Sequence, residues 1–229
     1  MKLSKILALI LALVCMVSVL ASCDLLDLEG ANDKAPETPK EYYEYALAYM
    51  QEHAYKQTTV SEGTVIDETI NSVSVCYMDG ANYYIPDEDG VTSTYYNGTL
   101  YVQTANAKRK TEIDLKSFAE SYGITEDYLT TISDTITDDS ITLTKNDDGT
   151  TTLVFTADMP IVGSYDYAMT LDKDCRLIKY EMTNSLTIMG YTTTVTNTNT
   201  IEYGDQYKVS PPADPDSYEV VDSYYDLFK

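Results

Sequence analysis

The chain has 229 residues, and its 15 Lys and Arg against 37 Asp and Glu give a formal charge of −22. A field of that sign repels phosphate backbones and anionic headgroups, which excludes nucleic-acid binding. With 44% apolar residues the chain can still bury a core, and its length suits one β-rich domain.

Lys2 and Lys5 precede an apolar run from Ile6 to Leu20 that only Ser18 interrupts. At helical rise the run spans roughly 22 Å, short of the roughly 30 Å hydrocarbon core. It reads as a signal h-region, not a transmembrane helix. Leu20-Ala21-Ser22-Cys23 then forms a lipobox, and residues 1–23 resemble bacterial lipoprotein signal peptides. The resemblance implies cleavage before Cys23 and a diacylglycerol on its thiol, with palmitate-type chains. Each buried CH₂ contributes about 0.8 kcal/mol, so two acyl chains hold where one is marginal.

The mature chain is therefore expected to be tied to a membrane by lipid and to face outside the cytoplasm. In a Gram-positive cell that is the cell surface. In a Gram-negative cell it is the periplasmic face of the inner membrane, because Asp24 resembles the retention signal there. Losing residues 1–22 removes two lysines and no acid, leaving thirteen cations against 37 acids, a charge of about −24. Residues 23–37 read as the lipidated Cys and an acidic tether, and residues 38–229 as a single domain.

Thr38-Pro39-Lys40-Glu41 is a capping box with Pro at the first helical position. Tyr43, Ala46, Leu47, Met50 and Ala54 follow at helical spacing, so a helix is expected over Pro39–His53. Strands follow from about Tyr55 to Glu112. Val73, Val75 and Tyr77 alternate with small polar residues up to an Asp79-Gly80 turn. Pro86 to Gly90 marks a second turn, and Asn97-Gly98 a type I′ hairpin. Lys108-Arg109-Lys110 reads as a solvated strand end or loop.

Two short helices are expected next. Asp114 caps one that carries Leu115, Phe118 and Tyr122, and Thr125 caps one that carries Tyr128, Leu129 and Ile132. The remainder returns to β. Leu153, Phe155 and Ala157 share a face, as do Tyr165, Tyr167, Met169 and Leu171. Two long strands follow, up to Tyr203. Pro211, Pro212 and Pro215 stop the ladder, and Asp216–Lys229 reads as a small closing helix. No βαβ alternation is present, so a parallel sheet is not expected.

This order, with Tyr95–Tyr101 reading as a YY-x-G-x-LY hairpin and Val209–Asp214 closing the last strand, resembles the LolA/LolB/LppX-like lipoprotein group. The resemblance implies an α+β fold: a strongly curved antiparallel half-barrel with the N-terminal helix and the helix pair on its concave side. It also implies a cavity there for an acyl chain or other greasy ligand. Tyr43, Leu47, Met50, Phe118 and Tyr167 are the candidate lining; the same residues serve equally as a dry core.

Chemistry is sparse. One His and the two cysteines of the mature domain, Cys76 and Cys175, are too few and too scattered for structural zinc. His53 reads as a helix C-terminal cap. The acidic runs at 87–90 and 146–149 lack the acid twelfth from the start that a calcium loop needs, and turn chemistry accounts for them. No nucleophile elbow, metalloprotease, dinucleotide or P-loop motif occurs. No enzyme, metal or cofactor is expected beyond the Cys23 lipid; a carboxylate-based hydrolase is the one enzymatic option left. Two readings stand: a non-catalytic carrier of a lipid or other hydrophobic ligand, and an interaction or scaffold module with a solid core for a protein or polysaccharide partner.

Overall fold

The computed structural model describes residues 35–65, 68–88, 90–114, 135–159, 163–188 and 191–228. The signal segment with Cys23 and the expected helix pair with Phe118 lie outside these residues.

Helix α1 (Pro39–Glu52) opens the domain. Thr38 and Glu41 form the expected capping box, each side chain bonding the other's backbone N–H. Tyr42, Ala46, Leu47 and Met50 form its buried face. The helix ends at His53, whose backbone is extended and whose Nδ1 bonds the Tyr49 carbonyl at 2.9 Å. That is the capping role read from the sequence.

The strands are β1 (Tyr55–Val65), β2 (Glu68–Asp79), β3 (Asn82–Glu88), β4 (Val91–Tyr96), β5 (Thr99–Gln103) and β6 (Lys108–Glu112). After them come β7 (Thr142–Lys145), β8 (Thr151–Met159), β9 (Gly163–Leu171), β10 (Leu177–Ile188), β11 (Tyr191–Tyr203) and β12 (Glu219–Val220). They form one sheet in the order β12-β6-β5-β4-β3-β2-β1-β11-β10-β9-β8-β7. Two antiparallel meanders thus meet where β1 lies against β11, Tyr55 opposite Tyr203 and Thr64 opposite Thr194. Among the described strands only β12 runs parallel to its neighbour. The outermost strands, β7 and β12, do not pair with each other, so the sheet is curved and open.

Local chemistry explains the joints. Asn97 and Gly98 have φ of 47° and 86°, the pair of positive angles of a type I′ turn. Gly63 sits where β1 and β11 crowd together, and a Cβ there would collide with the Thr194 carbonyl oxygen. One expected turn is displaced: Pro86 belongs to β3, which runs on to Glu88 opposite Val91. The register shifts between Ile85 and Glu88, and such an irregularity accommodates a residue without an N–H.

The main core lies under α1. Ala46, Leu47 and Met50 pack with Tyr55, Met78, Ile141, Leu153, Phe155, Met169, Leu171, Leu177 and Ile201. A second, smaller core joins Tyr95, Leu100 and Val102 to Leu227 near the C-terminus. Leu227 comes from a single 3₁₀ turn (Tyr224–Phe228), so the expected closing helix is instead β12 followed by that turn. Lys108-Arg109-Lys110 stands at a strand end, as the first three residues of β6, but its partly exposed side chains also grip the acidic C-terminal segment, which the sequence did not show.

Candidate functional site

The face of the sheet beneath α1 is built from alternate residues, and the cross-strand registers set them in rows. One row reads Leu153, Met169, Tyr180, Asn199, Thr59, Ser74 from β8 to β2. The next reads Phe155, Tyr167, Met182, Asn197, Ser61, Ser72. Both change character between β10 and β11. Strands β8–β10 present apolar and aromatic groups, while β11, β1 and β2 present amides and hydroxyls.

The apolar half is organised by rings. Tyr43 of α1 meets Phe155 edge-on at 5.4 Å, and Phe155 stacks on Tyr167 at 5.0 Å. Tyr167 continues to Tyr165 at 6.4 Å. Four of the five candidate lining residues, Tyr43, Leu47, Met50 and Tyr167, therefore gather in one cluster. Leu47 and Met50 are 3% and 4% exposed, and protein side chains fill the space around them.

The polar half is hydrogen-bonded to itself. Asn199 is buried, and its Oδ1 accepts from Gln57 Nε2 at 3.0 Å and Thr59 Oγ1 at 2.7 Å. Ser61 Oγ donates to Asn197 Oδ1 at 2.6 Å. Burial of these groups costs little because each finds a partner. The Thr/Asn texture of β11 reads as a strand with a largely wet outer face, which exposed Thr194, Thr200 and Glu202 supply; the seam on its other face was missed. The signal lay in parity: Asn197 and Asn199 share the phase of buried Ile201.

Polar contacts pin both ends of α1. At the start, the Lys40 N–H donates to Asp138 Oδ1 at 2.8 Å. This bond, followed by one from the Thr38 side chain, holds the Asp138 carboxyl below the ordinary range. At the far end, Arg176 lies 6.0 Å over the Tyr49 ring and donates to Asp172 Oδ2 at 2.7 Å. Burial pushes the Asp172 carboxyl up, but the bonds from Arg176 and from the backbone N–H groups of Arg176 and Asp174 outweigh it, and the carboxyl is held low. Tyr49 also stacks on His53 at 3.8 Å and meets Tyr203 edge-on at 5.0 Å. The Tyr203 hydroxyl is buried, finds no hydrogen-bond partner among the described residues, and is pushed far up by burial.

An open cleft of about 280 Å³ lies at the rim of this face, lined by Tyr42, Lys145, Thr150, Thr151, Asp172 and Cys175 among others. Its wall is mixed, and it lies at the turns that end β7 and β9 rather than between α1 and the sheet centre. Cys175 occupies the β9–β10 turn with φ 62°, partly exposed, whereas Cys76 is buried on β2; no disulfide joins them. The acid-rich turn at Asn146–Gly149 is bound by its own side chains, Asp148 accepting from the Thr150 N–H and hydroxyl. Among the described residues no group of three or more His, Cys, Asp and Glu is placed to hold a metal ion.

No protein-family model and no curated protein matches the chain. Several solved structures are similar at low identity. LprF from Mycobacterium bovis is 12% identical over 79% of this chain and 98% of that one, with a TM-score of 0.39. A DUF1329 family protein from Desulfovibrio piger is 11% identical over 81% and 91%, with a TM-score of 0.25. An outer membrane lipoprotein-sorting protein domain from Vibrio parahaemolyticus is 10% identical over 73% and 92%, with a TM-score of 0.24. With TM-scores below 0.5 these are likenesses of outline and carry nothing about what the chain does.

Proposed function

We propose that this chain is a lipid-anchored extracytoplasmic lipoprotein that binds a lipid or other hydrophobic ligand without covalent chemistry. The lipobox at Cys23 supplies the anchor, and the tether of residues 23–37 carries the domain off the membrane. Among the described residues no helix is long and apolar enough to cross a membrane. The division into signal, tether and one domain over residues 38–229 belongs to the same reading.

The observation that carries the ligand-binding reading is the divided face under α1. An amphipath needs an apolar wall for its chain and hydrogen-bonding groups for its head. Phe155, Tyr167 and Met182 provide the first, and Thr59, Ser61 and Asn197, directly across the β10–β11 boundary, provide the second. In this reading α1 lifts, pivoting near His53, and the chain takes the place of Leu47 and Met50.

The chain contains no Trp, so a Tyr43→Trp variant carries one reporter inside the cluster. A brominated long-chain fatty acid should quench its emission at one equivalent. No quenching, with the fold intact by circular dichroism, transfers the reading to the second one. That second reading, a scaffold or interaction module, is favoured by one observation: Leu153 and Leu171 beneath α1 are 0% exposed, as a solid core requires.

A further inference from the structure

The C-terminal segment behaves geometrically as a ligand of the sheet to which it belongs. It leaves β11 at Gly204 and crosses the face opposite α1, where Tyr207 packs against Tyr77 and the Val209 N–H bonds Asp79. Asp214 pairs with Lys108 at 2.6 Å, and the Pro215 carbonyl accepts from Lys110 Nζ at 2.8 Å. Tyr218 meets Tyr101 edge-on at 5.3 Å with Lys108 over its ring. Glu219 and Val220 then pair with Arg109 and Lys110 along the β6 edge, and the Val221 N–H donates to the Lys110 carbonyl. Past the edge, the segment enters the opposite face of the sheet. There Arg109 holds the Asp226 carbonyl at 3.1 Å, and Leu227, 1% exposed, fills a socket of Tyr95, Leu100 and Val102.

The recognition is complete on three counts. Lys108 and Lys110 point to one face and Arg109 to the other, so the single basic triplet of β6 reads acids and carbonyls on both sides of the edge. The β6 backbone supplies strand pairing. The Leu227 socket lies about six residues beyond that pairing. Yet β12 is only two residues long, and Val220 is 73% exposed, so the segment occupies the edge without sealing it.

From this geometry we infer that the β6 edge, with the basic triplet and the Leu227 socket, is a docking site for an acidic extended peptide of a protein partner, and that residues 213–228 are its built-in competitor. The partner segment pairs with β6, sets carboxylates against Lys108 and Arg109, and seats an aliphatic side chain among Tyr95, Leu100 and Val102. The site lies on the opposite half of the sheet from the proposed ligand face, and does not depend on it.

The test uses a fluorescein-labelled peptide of residues 213–228 and the full mature chain. In an Asp214→Asn/Glu219→Gln variant the internal segment loses two charge contacts at exposed positions, which leaves the cores untouched. That variant should bind the peptide about tenfold more tightly than wild type. Raising sodium chloride should narrow the difference between the two chains, because it screens the contacts that only the wild-type segment keeps. Hydrogen exchange at the Val221 amide of the wild-type chain should outpace that at β1 and β11 amides. Absence of peptide binding to the folded variant, or equal affinity in the two chains, overturns the inference. So does Val221 exchange as slow as that of the central strands.

Discussion

Single residues place the joints of this molecule. Gly63 is the clearest: a Cβ would meet the backbone of Thr194 and Val195, so Gly63→Ala must push β1 from β11 at the centre of the sheet. The expected cost is about 2–3 kcal/mol, read as a shift of the urea midpoint. Asp138 and Asp172 act at the ends of α1. Both carboxyls are held below their ordinary value, so their contribution is complete above the unfolded-state pKa of about 4. It is lost as pH falls through the lower folded-state values. An Asp138→Asn/Asp172→Asn variant should therefore be less stable at pH 7 and lose less between pH 5 and 3 than wild type. Urea midpoints across that range decide it, and parallel curves would count against the pinning of α1.

At the scale of elements, α1 is held by its apolar face more than by its own propensity. Leu47→Ala should cost about 2–4 kcal/mol, because a cavity opens among Met50, Leu153 and Phe155 where little can collapse. Thr38→Ala, at the exposed capping box, should cost about 1 kcal/mol. The sequence made this helix legible to within a residue, since its cap, its Pro at N1 and its apolar stripe are all local signals. The Asn97-Gly98 hairpin was legible for the same reason. What could not be read depends on distant partners. Lys108–Lys110 read only as a solvated strand end because the acids that grip it lie about a hundred positions later in the chain. Pro86 read as a turn because only the pairing register shows that β3 tolerates it. The closing segment lacked any periodicity, for it is shaped by β6 and by one socket.

Across the whole molecule, the described strands make one continuous layer that serves a core under α1 and a smaller one at Leu227. The half under α1 carries the divided face; the other half carries the C-terminal segment. Of the five candidate lining residues, Tyr43, Leu47, Met50 and Tyr167 read as inward-facing from helix and strand parity and share one cluster, while Phe118 lies outside the described residues. The Gln57–Thr59–Asn199 seam was not, since polar side chains inside a sheet look like an outer face until the register is known. The division also orders the two functional readings. If α1 lifts from an amphipathic floor, the protein is a carrier; if it never lifts, the floor is a core.

The most direct test is native mass spectrometry of residues 24–229, produced without the lipid, before and after organic extraction. Binding predicts a co-purified lipid or other apolar mass in stoichiometric amount, lost on extraction and restored by lipid mixtures. A clean apo mass that stays unchanged after incubation with those mixtures would contradict ligand binding and leave the interaction module.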